Sequence, residues 1–88
     1  DAPLPRQQLA AILFRYASWL GKAGDGRADL SSRPDAAAVA PYAREAMAWA
    51  VHAGVLYGRA DGTLDPGGTA TRAQTAVLLT RLWDYLEA

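Results

Sequence analysis

The stretch DGTLDPGGTATRAQ, Asp61 to Gln74, decides how this chain folds. Asp61-Gly62 is a turn dipeptide, and Pro66-Gly67-Gly68 prolongs the loop. Leu64, the lone apolar residue between them, is placed to plug back into a core. Thr71 suits a helix N-cap, and Gln74 three residues later completes the capping-box pattern. Such a cap stabilises a helix by roughly 1 kcal/mol. The helix it opens is expected from about Arg72 to Leu86, with Val77, Leu78, Leu79, Leu82, Trp83 and Leu86 as its apolar set. Arg72 falls in the first turn, where the helix dipole disfavours a cation.

The start of the chain repeats this oddity. DAPLPRQQ, Asp1 to Gln8, also places an arginine where a helix begins. Aligning Arg6 with Arg72 sets Gln8 on Gln74, Ala10 on Ala76, Ile12 on Leu78, Leu13 on Leu79 and Arg15 on Arg81. This is an internal repeat. The chain therefore reads as a terminal helix of one unit, residues 1–20, a polar loop, residues 21–34, and one whole unit, residues 35–88. Units of this kind seldom bury their apolar faces alone, so neighbouring units or subunits are expected to complete them.

The remaining elements follow from spacing and punctuation. Leu9, Ile12, Leu13, Tyr16 and Leu20 define one face of a helix from about Arg6 to Leu20, which Gly21 and Gly24 end. Asp35 suits the cap of a short helical turn over Asp35–Ala40. Pro41 suits the first position of a second helix, expected to end at Ala53 before Gly54. Tyr42, Ala46, Trp49, Ala50 and Ala53 share its face. Trp19, Trp49 and Trp83 read as packing or interface residues. The fold class expected is all-α, about one and a half helix-loop-helix repeats.

Composition narrows the function. Nine basic and nine acidic residues give a formal net charge of zero, which argues against a nucleic-acid partner. It also leaves no polybasic patch for a membrane surface, and no apolar run approaches a spanning length. The chain opens on no signal-peptide pattern, which leaves the destination of a longer parent open. There is no cysteine and a single histidine, His52, so a thiolate or transition-metal site is not expected. Asp61 to Asp65 lacks the full ligand spacing of a calcium loop. No nucleophile elbow or phosphate-binding glycine loop is present, so neither an enzyme nor a cofactor is expected.

The order of motifs resembles the S-layer homology domain of bacterial cell-envelope proteins. EAMAWAVHAGVLYG (Glu45 to Gly58) is similar to that family's WA-containing helix with its Gly-Val turn. ADGTLDP (Ala60 to Pro66) is similar to its DGTF-x-P loop, and TRAQTAVLLTRL (Thr71 to Leu82) to its TRAE helix. LPRQQLAAILFRY (Leu4 to Tyr16) resembles the same TRAE helix from a preceding repeat. The chain departs from the pattern at Tyr42, where many members carry tryptophan, at Gln74, which stands for glutamate, at Pro5, which replaces a threonine cap, and in the loop Gly21 to Pro34, which is longer than usual and has Arg33 near where an aromatic residue is common before Asp35.

The resemblance implies tandem repeats, commonly three in a pseudo-threefold bundle. It also implies noncovalent anchoring at the bacterial cell surface to an anionic, often pyruvylated, secondary cell-wall polysaccharide held in grooves between repeats. The residues it marks are Arg72, Tyr42, Gly58, Asp61 and Gly62, with Arg6 from the first copy. Physical chemistry agrees for the arginines, because a helix N-terminus offers unpaired N–H groups and a guanidinium adds a planar fork for carboxylate. The same arginines also suit plain solvation, or pairing with Asp61, Asp65 or Asp1. The other function consistent with the sequence is a protein–protein assembly module, with self-association through the same helix grooves.

Overall fold

A computed structural model describes residues 4–87. A two-residue strand, β1 (Leu4–Pro5), leads into helix α1 (Arg6–Trp19). Two 3-10 turns, Ala36–Ala38 and Pro41–Ala43, precede helix α2 (Arg44–His52). A second short strand, β2 (Thr69–Ala70), precedes helix α3 (Arg72–Glu87). The fold is mainly helical but not all-α. β1 and β2 pair antiparallel, with Leu4 opposite Ala70 and Pro5 opposite Thr69. Leu4 and Ala70 are equivalent in the internal repeat, so the two copies of the motif meet at their helix starts.

Helices α1 and α2 end by the same device. Gly21 and Gly54 take positive φ, +73° and +77°. The chain then closes back, Lys22 N onto Ala17 O at 2.9 Å and Val55 N onto Ala50 O at 2.9 Å. Only glycine adopts that backbone without strain, which is why these two residues stop the helices.

Pro41 does not start the second helix as the sequence suggests. Residues 41–43 form a tighter turn, and Tyr42 on it is exposed while Ala43 is buried. Asp35 does not cap its own turn. Its carboxylate instead accepts Leu64 N at 2.9 Å and Asp65 N at 2.8 Å, which ties the start of the unit to the loop before β2.

The core gathers Leu9, Leu13 and Ala17 of α1, Met47, Trp49 and Ala50 of α2, and the loop residues Val55, Leu56 and Leu64. Leu64 is fully buried, as its isolated position implies. Trp49 is 0% exposed and central. Its ring meets Phe14 at 5.5 Å and Tyr85 edge-on at 5.8 Å, and its Nε1 donates to Ala23 O at 3.0 Å. Tyr85 fastens α3 to the end of α1, its hydroxyl lying 2.6 Å from Lys22 O and 2.9 Å from Ala23 O.

The other two tryptophans behave differently: Trp19 is 79% exposed and Trp83 65%. Ile12, Tyr16, Val77 and Leu79, all expected on apolar faces, are exposed too. The helical periodicity is real, but the described residues cover only part of each face.

Candidate functional site

The loop between α2 and β2 builds the site. Arg59 pairs with Asp65, Nη2 to Oδ2 at 2.7 Å, and Asp65 takes φ +51° to reach it. Asp61 Oδ1 accepts both the backbone N–H of Thr63, at 3.0 Å, and its hydroxyl, at 2.7 Å. These bonds, the backbone one first, hold the Asp61 carboxyl below its ordinary value. Gly62, at φ +88°, makes the bend that any side chain would strain. Gly58 does not share that conformation. The space a side chain would need there is filled by the Arg33 guanidinium, which also donates to Gly62 O at 3.2 Å.

This loop wraps the start of α1. Pro5 gives no side-chain cap, so the first amides of α1 need other acceptors. Arg6 N bonds Gly68 O at 2.8 Å, and Gln7 N bonds Pro66 O at 3.0 Å. The Arg6 side chain is buried as well, with Nε on Leu64 O at 2.9 Å and Nη2 on Tyr57 O at 2.9 Å. The expectation that this helix start offers unpaired N–H groups to an anion is therefore corrected: loop carbonyls take the first two. Burial pulls the Arg6 guanidinium below its ordinary pKa, and Arg59 adds repulsion, while Asp65 and Asp35 oppose the shift. Arginine stays charged under such perturbation. Pairing with Asp61 or Asp65 is not what holds Arg6, and Asp1 lies outside the described residues.

The second copy is capped by its own side chains. Thr71 N donates to Gln74 Oε1 at 2.8 Å, and Gln74 N donates to Thr71 Oγ1 at 3.1 Å, the reciprocal box read from the sequence. Arg72 is exposed at the first position of α3.

Between the two copies lies an open cleft of about 320 Å³. Arg6 contributes from α1, Leu56 and Tyr57 from the segment after α2, and Ala73, Gln74, Val77 and Arg81 from α3. The Arg81 guanidinium lies 4.0 Å from the Tyr57 ring centroid, a cation–π contact that fixes both side chains. Two cations and no acid line the cleft among the described residues. An aromatic ring, an amide and a partly apolar wall complete a surface suited to an acidic ligand with a hydrophobic face.

Of the residues marked from sequence, Arg6 alone lines this cleft. Arg72 immediately precedes its lining residue Ala73. Gly58, Asp61 and Gly62 stand together on the loop beside Arg33, and Tyr42 is exposed on the 3-10 turn before α2. Sequence reasoning missed Tyr57 and Arg81. Arg81 was legible only as the repeat partner of Arg15, and Tyr57 only as an aromatic beside a glycine turn.

Residues 34–76 match the profile of the S-layer homology domain. That match takes in the loop and the start of α3, so the chain carries an S-layer homology domain there. Domains of this family are binding modules rather than enzymes, and they mediate attachment to the bacterial cell wall at the cell surface. No curated protein and no solved structure gives a significant match to the chain. No helix among the described residues is long and apolar enough to cross a membrane.

Proposed function

We propose that this chain anchors its parent protein noncovalently to an anionic secondary cell-wall glycan, and that an acidic sugar, such as a pyruvylated one, enters the cleft between Arg6 and Arg81. The observation that carries this reading is the cleft's charge: two guanidinium groups line it and, among the described residues, no carboxylate does. Arg6 spends Nε and Nη2 on carbonyl oxygens, and its Nη1 has no protein acceptor among the described residues. Arg81 is held against Tyr57 and is in no ion pair among the described residues. Both cations are therefore positioned before a ligand arrives, which lowers the ordering cost of binding. Tyr57 supplies a ring beside them on which a sugar face can rest. In this reading Arg72, next to the cleft's Ala73, and the loop Gly58 to Gly62 flank the ligand, and Tyr42 stacks on a further sugar.

The test is cosedimentation with bacterial cell-wall sacculi, intact or stripped of their secondary polymers. The chain is expected to pellet with intact sacculi only. Arg81→Ala removes a charge-assisted contact and is expected to weaken binding about tenfold or more. Pelleting that persists on stripped sacculi, or that ignores Arg81→Ala while the fold is intact, overturns the assignment.

A further inference from the structure

The loop that borders the cleft is gripped by two guanidinium groups. Arg6 holds its two ends, the carbonyl oxygens of Tyr57 and Leu64, at 2.9 Å each. Arg33 holds the residues just inside those ends. Its guanidinium packs against Gly58, and its Nη1 donates to Gly62 O at 3.2 Å. Neither arginine is in an ion pair among the described residues.

The second grip explains a glycine that the backbone does not. Gly58 takes no positive φ, so its conformation suits other residues. Its neighbours are what exclude a side chain. A Cβ at this position would collide with Arg33 Nη1, 3.3 Å from Arg33 Cζ and 3.2 Å from Thr63 O. A planar guanidinium lies flat against bare backbone, whereas a compact ammonium does not fill the same slot. The segment that carries Arg33 is itself fixed. Arg33 N bonds Leu30 O at 3.0 Å, and Asp35, two residues on, accepts Leu64 N and Asp65 N.

Tyr57 directly precedes Gly58, and both cleft cations touch it. Its carbonyl oxygen accepts Arg6 Nη2, and its ring lies 4.0 Å from the Arg81 guanidinium. A glycine next to Tyr57 leaves the peptide between them free to turn unless a neighbour holds it. We infer that Arg33 is a positioning residue for the cleft: packed on Gly58, it sets the direction of Tyr57, and through Tyr57 the placement of Arg6 and Arg81. Arg33 is not among the residues that line the cleft. Its effect on glycan binding rests on the anchoring function proposed for the chain, but its effect on Tyr57 and Arg81 does not.

Arg33→Ala, Arg33→Lys and Gly58→Ala test this, with circular dichroism to show that each keeps its helices. Without any ligand, the Tyr57 ring shifts the Arg81 side-chain proton resonances upfield while the two groups stay stacked. All three variants are expected to return these resonances most of the way to those of a free arginine. Gly58→Ala acts by expelling the Arg33 guanidinium, so adding it to Arg33→Ala is expected to change little further. Binding to intact sacculi is expected to fall about fivefold in Arg33→Ala and in Arg33→Lys alike. A mere loss of positive charge would spare the lysine variant. Unchanged Arg81 resonances in Arg33→Ala overturn the inference. So do additive effects of the alanine substitutions at 33 and 58, and full binding by Arg33→Lys. A wild-type chain that does not pellet with sacculi overturns the glycan reading alone, and the Arg81 resonances still decide the role of Arg33.

Discussion

Arg6 and Arg72 hold the same position in two copies of one motif, yet one is buried and the other exposed. The difference lies in what stands in front of each helix. A loop from the following unit faces α1 and supplies four carbonyl oxygens: Tyr57 and Leu64 to the Arg6 side chain, Pro66 and Gly68 to the first two amides. The start of α3 is instead capped by the side chains of Thr71 and Gln74. A charge at a helix start opposes the dipole, and in the first copy that cost is offset by carbonyl acceptors that a smaller side chain would leave unpaired. The motif arginine is thus a fastener between a helix and the loop of the next unit. The same arginine keeps a cation at the edge of the cleft, so under the proposed function one residue would serve both packing and recognition.

The contrast can be broken by substitution, and the largest effect should fall in the first copy's core. Leu13→Ala removes a buried side chain and is expected to destabilise by about 3 kcal/mol, while Leu79→Ala, its equivalent, costs under about 1 kcal/mol. Urea denaturation measures both. Arg6→Ala strands one buried and one partly buried carbonyl group and is expected to cost about 2 kcal/mol, against about 0.5 kcal/mol or less for Arg72→Ala. Equal losses for the two arginines would remove the fastener role. Thr71→Ala deletes the side-chain cap that only the second copy possesses and is expected to cost about 1 kcal/mol, lowering the melting temperature by a few degrees.

The smallest effect is a pH dependence. Backbone bonds from Leu64 first, and from Asp65, hold the Asp35 carboxyl below its unfolded value. A carboxyl depressed in the folded state contributes stability that is fully present above its unfolded pKa of about 4 and is lost as pH falls through the lower folded value. Asp35→Asn is therefore expected to lower stability at neutral pH and to flatten its decline in acid. Asp29 and Asp61 are depressed by local bonds too, so some decline remains. A decline as steep in Asp35→Asn as in wild type would contradict this role for Asp35.

Much of this was legible in the sequence, and for identifiable reasons. Thr71 and Gln74 are three residues apart and Gly54 directly follows its helix, so local chemistry specifies the cap and the stop. Leu64 is the one apolar residue in a polar loop, and its burial follows. What was hidden depends on distant residues. Arg6 meets Leu64 and Tyr57 across more than fifty positions, and no local pattern announces that contact. The β1–β2 pair escaped because two-residue strands have no periodicity, and Pro5 does not look like a strand residue. Tyr42 occupied a helical phase that a 3-10 turn then changed. The cleft draws on α1, α3 and the segment between them, so Tyr57 and Arg81 could be joined only in three dimensions.

The most direct test of the proposed placement of a glycan in the cleft is a titration of isotopically labelled chain with a pyruvylated sugar, followed by amide chemical shifts. The expected result is concentration-dependent movement centred on Tyr57, Ala73, Gln74 and Arg81, abolished in Arg81→Ala. Movement confined to Tyr42 and the loop Gly58 to Gly62, or no movement at saturating sugar, would contradict the placement of the ligand between Arg6 and Arg81.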